Sequence, residues 1–573
     1  MDSLPYGIVS KNLRAEDLLA KLEPENFIDC DTFMLFDEFI IKWMIARLLD
    51  ENLNAEINEM NIPSLCEHRM KKHFGDEFNI PYHVLKHAYY LVQAANYTYT
   101  SDFKQLVKQY EEKDYLIDTH YRKFYFYYDQ LLDQTKFEKI RELVENIYTN
   151  KYLDVIIPAW NEALDKETGI QLPIQSQFYD KYIQPAKDWV VVIISDVMRY
   201  EVGRNLVKQL ERNPKTTAII KPMLGVLPSY TKLGMASLLP HRKLELTDDY
   251  RVLVDGKSTD DLRQREAVLK SIEPNSLCIQ FDDLKVMKRD ELRQTLNGMN
   301  VVYIYHNQID ARGDKANTEN EVFNACHEAI FEIQEIIRRL TIDLSIQHYF
   351  ITADHGFIYK RDKIEEAYKI DLSSNKDDFI NRRFIVTKNK YEMNGTKTYS
   401  LSRITNSEDE KQVIVPMSSH VFKVSGGGQN YVHGGSSPQE MLIPLIEVKT
   451  ERGKKETYPV TINLVSNIQK VTNLITSFDF YQQEPISDII EPTTYKLYFI
   501  SDSGEKISNE SIYVADKKDE NPEKRIFRLQ FSFKNKQYSR NEKYYLVVYD
   551  DKNEVELFRR NIIMDIAFAG DFG

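Results

Sequence analysis

The chain is predicted to be an α/β protein with a doubly wound sheet at its centre, an all-helical domain before it and a small β-sandwich domain after it. Three observations predict this. First, Trp189 to Gly203 reads WVVVIISDVMRYEVG, and Val190 to Ile194 has no polar alternation, as in a strand buried on both faces of a parallel sheet. Second, strand-like and helical runs alternate from about residue 188 to 450. Third, beyond about residue 456 the chain changes to short alternating strands separated by turn residues, as in an immunoglobulin-like sandwich.

Bulk composition narrows the function classes. The 573 residues include 42% hydrophobic and 12% aromatic residues, enough for large cores and for roughly three or four domains of about 150 residues. A formal charge of −13 argues against non-specific coating of nucleic acid, although a local basic groove is compatible with it. Cys30, Cys66, Cys278 and Cys326 form no CxxC pair, which argues against a disulfide framework or a cysteine zinc knuckle. With no signal peptide and no apolar run near 18 residues, a soluble cytoplasmic protein without a membrane partner is expected.

Residues 1–185 read as a helical scaffold or docking domain. Thr32 to Leu53 places Phe36, Phe39, Ile40, Trp43 and Leu48 on one broad face, and further helices are predicted around 83–95, 103–112, 119–134 and 137–149. The aromatic run from Tyr121 to Tyr128 is read as core rather than as a base-stacking platform, because few arginines interleave with it. His68, His73, His83 and His87 lack the acidic partner spacing of a metal site. Residues 453–573 show no chemistry and read as an interaction or supporting module.

The central region, residues 186–452, carries polar residues where its strands end. Asp196 follows the opening strand; alone it has a bland reading as a helix cap. A strand from Thr217 to Val226 leads to LPSYTKLGMASLLPH, which places Thr231 at or near a helix N-terminus, where backbone N–H groups favour an anion. Asn300 to Tyr305 is a further strand, ending in His306 and a loop that holds Asp310, Asp314 and Lys315. After a helix from Glu319 to Leu340, QHYFITADHGF brings a strand into Asp354 and His355, adjacent donors that can ligate one divalent ion. A charged insertion from about Lys360 to Glu410 follows. The loop VSGGGQNYVHGG then holds His433 ahead of a strand near Met441; its Gly426 to Gly428 is not followed by GK[ST] and reads as a flexible loop. At one edge of a parallel sheet these residue types would supply two cation sites and a hydroxyl nucleophile, the equipment of two-metal phosphoryl transfer.

SDVMRYE, PSYTKLGMASLLP, YHNQIDARGDK, TADHGF and VHGGSSPQE resemble the motifs of the PglZ family, alkaline-phosphatase-like components of BREX anti-phage systems in bacteria and archaea. The resemblance runs from about Trp189 to Val448. It implies an alkaline-phosphatase-like fold for the doubly wound sheet and a metal-dependent phosphohydrolase of phosphodiesterase or nuclease type. The alternatives are a largely non-catalytic BREX assembly subunit and a phosphomonoesterase; a sulfatase is disfavoured because no CxPxR-type context is present. By the same resemblance Thr231 is the nucleophile, Asp196, Thr231, Asp354 and His355 share the first divalent metal, and Asp310 and His433 hold the second. Asp314 stands where the superfamily often has histidine, which makes manganese or magnesium credible beside zinc. Arg199 is expected either to orient phosphate or to pair with Glu201; His306 and Lys315 are weaker candidates for substrate or supporting contacts. Other BREX proteins are the expected partners, with DNA or another phosphodiester as substrate. Longer PglZ proteins carry more chain ahead of the helical part, so an N-terminally truncated chain is expected.

Overall fold

A computed structural model of the chain describes residues 19, 21–167, 169–186, 189–372, 374–402, 409–424, 430–451, 458–465, 470–487, 490–519, 521–539, 542–551 and 555–566. The glycine run 426–428 lies outside these residues. The described residues of Met1–Asp129 and Gln134–Arg452 make one compact unit, and those of Gln130–Asp133 and Gly453–Gly573 make a second. Residues on both sides of position 185 therefore share one unit.

Its helical part includes α1 (Leu35–Leu49), α2 (Asn79–Gln93), α3 (Tyr115–Tyr128) and α4 (Asp154–Lys166). In α3 the aromatic run is core as expected: Tyr121, Phe124, Tyr125 and Tyr128 are buried. Single π-helical turns at Tyr110–Asp114 and Ile147–Leu153 interrupt the helical pattern, which hydrophobic periodicity did not anticipate.

The α/β part is built on six strands: β1 (Val190–Ser195), β2 (Thr216–Leu224), β3 (Ser276–Gln280), β4 (Val301–His306), β5 (His348–Thr352) and β6 (Leu442–Thr450). Their order is β2-β6-β5-β1-β4-β3. All six residues of β1 are buried, and β5 and β4 flank it. Burying each such valine or isoleucine contributes roughly 1.5–3 kcal/mol. α5 (Tyr200–Leu210) and α7 (Val322–Leu344) pack against each other. The sheet is not wholly parallel, which corrects the expectation: β6 runs antiparallel to both β5 and β2. The five remaining strands point the same way, so their carboxyl ends and the start of β6 meet at one edge. The edge strand β3, too short to announce itself by alternation, was not anticipated.

The second unit places a three-stranded sheet (Ile462–Leu464, Ile475–Gln482, Ile526–Ser532) and a five-stranded sheet around one core. Phe478, Phe480 and Phe531 of the first and Phe499 and Leu546 of the second are buried in that core. Among the described residues no helix is long and apolar enough to cross a membrane.

Candidate metal and nucleophile site

Strand ends bring the first group of residues together. Asp196 is the residue after β1, and its N–H donates to the His306 carbonyl at the end of β4, extending the ladder by one step. Asp354 and His355 follow β5 by two and three residues. Asp196 is followed by Val197, whose φ of 58° is rare for a β-branched residue and costs of order 1–3 kcal/mol. That conformation lets the Val197 N–H donate to Asp354 Oδ1 at 3.0 Å. Ligand atoms of Asp196, Asp354 and His355 all lie within 4.8 Å of one another.

Thr231 opens the short helix α6 (Thr231–Ser237). α6 approaches because Gly234 has no side chain: a Cβ there would sit 2.3 Å from the Asp354 carbonyl oxygen. The approach leaves Thr231 Oγ1 3.2 Å from His355 Nε2. Gln175 braces the same segment, donating to the Asp354 carbonyl at 2.7 Å and accepting from the Val226 N–H at 3.0 Å.

The donor set fits a divalent cation. His355 Nδ1 lies 2.9 Å from the Gly356 carbonyl, which can only accept, so Nδ1 carries the proton and the Nε2 lone pair faces inward. That lone pair lies 3.2 Å from Asp354 Oδ2, so two acceptors face each other. Asp354 Oδ2, Asp196 Oδ1 and His433 Nδ1 are buried with no hydrogen-bond partner, an expensive arrangement unless a cation joins them. Burial first, then the Asp354 and Asp310 charges, pushes the Asp196 carboxyl well above its ordinary range.

A second group lies beside the first. His433 stacks on His355, with ring centroids 4.4 Å apart. Burial, then the His355 and Arg382 charges, holds its imidazole well below the ordinary range. Asp310 begins a one-turn helix after β4 and accepts from the Tyr431 hydroxyl at 2.9 Å. Burial is the largest cause of its raised pKa. Asp314 is solvent-exposed, one turn further on, and lines the same cavity as Tyr431 and His433. β6 explains how His433 arrives: because that strand is antiparallel, the loop ahead of it lies at the carboxyl edge of its neighbours.

The side chains of the weaker candidates are not among the clustered ligand atoms of Asp196, Asp354 and His355. Arg199 is fully buried and pairs with Asp118 of α3 at 2.7 Å, its guanidinium lying over the Phe357 ring. Glu201 pairs instead with Arg122, at 2.8 and 3.0 Å, so the expected Arg199–Glu201 bridge is not formed. The Arg199 guanidinium is thus engaged with α3. His306 uses both ring nitrogens, on Ser195 Oγ at 3.0 Å and Glu332 at 3.1 Å. Lys315 is exposed in the turn after Asp314. Sequence reasoning missed Tyr431, Gln175 and Asp118; only Tyr431 carried a signal, two residues before His433 in NYVHGG.

Residues 178–448 match the family profile described as the BREX system PglZ alkaline phosphatase-like domain. The chain is 37% identical over 582 residues to the alkaline phosphatase-like protein PglZ of Bacillus cereus, covering 99% of this chain and 68% of that protein. It is 28% identical over 591 residues to the alkaline phosphatase-like protein BrxZ of Escherichia coli, covering 98% and 68%. Solved structures that align with part of the chain include murine ectonucleotide pyrophosphatase/phosphodiesterase 5, with TM-score 0.34, 10% identity and coverage of 46% of this chain and 88% of that one. Phosphonoacetate hydrolase from Sinorhizobium meliloti aligns with TM-score 0.29, 11% identity and coverage of 46% and 90%. The protein is thus an alkaline phosphatase-like α/β protein with a candidate divalent-metal centre at its sheet edge. It belongs to the PglZ family of BREX components.

Proposed function

We propose that the chain is a metal-dependent phosphohydrolase of phosphodiesterase or nuclease type that acts in BREX anti-phage defence with Thr231 as its nucleophile. The observation that carries this reading is the 3.2 Å approach of Thr231 Oγ1 to His355 Nε2, beside buried carboxylate oxygens that have no protein partner. Asp196, Thr231, Asp354 and His355 would hold one divalent ion, and Asp310 and His433, with Asp314 at the rim, the other. Ions bound there, zinc or manganese or magnesium, would lower the hydroxyl pKa and offset charge on the phosphoryl oxygens.

Thr231 Oγ1 attacks phosphorus, the bond to the leaving alcohol breaks, and the hydroxyl proton ends on that alcohol. Water then cleaves the threonine phosphoester and restores the hydroxyl. Gly356 holds the His355 tautomer through Nδ1, and Val197 fixes the Asp354 carboxylate, so the nucleophile meets a preset array. The preference for a diester is drawn from the family's place in anti-phage defence, where other BREX proteins are its partners.

The test combines metal analysis of the purified protein with hydrolysis of bis-p-nitrophenyl phosphate and DNA by wild type and Thr231→Ala. The reading expects metal-dependent turnover that vanishes in the variant. Bound metal with equal background rates in both proteins contradicts it and favours a non-catalytic BREX subunit. A monoester cleaved far faster than either diester moves the reading to a phosphomonoesterase.

A further inference from the structure

A cavity of about 300 Å³ opens beside the second group, and residues of two origins line it. Asp314, Tyr431 and His433 come from the candidate site, whereas Ile380, Asn381 and Arg382 come from a hairpin in the charged insertion. That hairpin pairs Phe379–Ile380 with Ile385–Thr387 and carries Asn381, Arg382 and Arg383 near its turn.

The hairpin is fastened to the His433 loop by buried chemistry. Arg383, fully buried, pairs with Glu440 at 2.8 Å and also donates to the Ser418 carbonyl at 2.8 Å. Glu440 in turn accepts the Gly435 N–H at 2.8 Å, so one carboxylate ties the hairpin to the segment just after His433. Gly434, with φ of +113°, completes the contact: a Cβ there would sit 2.4 Å from the Phe384 ring. Asn381 Oδ1 accepts the Arg382 N–H at 2.6 Å, and the Arg382 carbonyl accepts the Phe422 N–H at 2.8 Å. Arg382 is therefore held by a fixed backbone on one wall of a cavity whose other wall carries His433 and Asp314.

Arg382 thus shares the cavity lining with His433 and Asp314, where a cationic side chain suits an anionic ligand group. About 300 Å³ is the lower end of ligand-pocket volumes, room for one nucleoside-sized group and not for paired bases. Ile380 and the Tyr431 ring give the cavity apolar surface beside its polar groups. We propose that this cavity is a substrate subsite: it takes the nucleoside unit adjoining the scissile phosphodiester, and Arg382 binds the next phosphate of a single polynucleotide strand. The inference rests on the phosphohydrolase reading and names its substrate class. Arg382 here is a specificity-determining contact to a non-reacting phosphate.

Fluorescence anisotropy on the full chain tests it, in the Thr231→Ala background with Mn2+ so that ligand survives. A labelled thymidine tetranucleotide is compared with labelled thymidine monophosphate. Arg382→Gln should weaken the tetranucleotide about tenfold and reduce the slope of log K against log salt by roughly 0.7, the loss of one phosphate contact to a single strand. Monophosphate affinity should stay within about twofold, and Arg382→Lys should recover part of the lost affinity. Equal weakening of both ligands, no weakening of either, or no tetranucleotide binding before Arg382 is changed would each overturn the subsite. If Arg382→Gln shows a lowered thermal midpoint, Arg382→Lys with an unchanged midpoint decides by the same comparison. Hydrolysis of bis-p-nitrophenyl phosphate by wild type, run in parallel, decides the phosphohydrolase reading separately: binding through Arg382 without turnover keeps the subsite and loses the activity.

Discussion

The two groups of candidate ligands lie side by side, yet they are built differently. Asp196, Asp354 and His355 follow adjacent parallel strands whose residues are almost all buried, and a backbone N–H or carbonyl fixes both Asp354 and His355. Asp310 and His433 instead come from a one-turn helix and from a loop ahead of an antiparallel strand, and Asp314 is exposed. The first group is preset by the sheet, whereas the second is held by side chains, namely Tyr431 on Asp310 and Glu440 with Arg383 behind His433. A site preset by a sheet should tolerate distant change, and one held by side chains should weaken by degrees.

The largest expected effect is on the first group. Asp354→Asn should remove about one ion per chain by metal analysis and, under the proposed function, lower kcat by about 10³-fold or more. Asp310→Asn should also remove about one ion but leave the first ion bound; if it strips both, the groups are one coupled site and the comparison fails. Tyr431→Phe removes a single hydrogen bond to Asp310, so metal affinity of the second group should fall about tenfold with the first unchanged.

Stability effects are smaller in scale and reach the site indirectly. Asp118→Asn would leave the buried Arg199 charge without its partner, at a cost of roughly 3–5 kcal/mol in denaturant unfolding. Arg141→Ala, which breaks a pair with the exposed Asp362, should cost about 1 kcal/mol or less. Finally, burial pushes the Glu440 carboxyl up, but Arg383, Ser437 and the Gly435 N–H together hold it below its ordinary 4.5. A lowered carboxyl pKa adds stability that is present above the unfolded value and lost as pH falls through the folded one. The thermal midpoint should therefore drop on acidification below about pH 4.5, and Glu440→Gln, weaker at neutral pH, should show a shallower drop.

Much of this was legible because buried parallel strands advertise themselves. Val190 to Ile194 and the motifs after it read directly as strand ends, and position in a sheet edge follows from that. Strand direction does not follow from composition: Leu442 to Val448 reads the same whether it runs parallel or antiparallel, and its antiparallel course is what delivers His433. Partners distant in sequence were equally invisible. Asp118 and Arg199 are 81 positions apart (199 minus 118), and a lone aspartate in an aromatic helix carries no sign of the guanidinium it meets. Val197 gave no warning of its positive φ, since a valine is a poor choice for that conformation. The short hairpin around Arg382 was hidden in what reads as a charged insertion.

Under the proposed function, Thr231 becomes covalently phosphorylated or nucleotidylated during turnover. Acid quenching of wild-type protein reacting with bis-p-nitrophenyl phosphate, followed by intact mass and peptide mapping, reads that adduct directly. A p-nitrophenyl phosphoryl group is expected on the peptide holding Thr231, absent from Thr231→Ala and from metal-stripped protein. Turnover without any adduct on that peptide, or an adduct that persists in Thr231→Ala, would contradict that expectation.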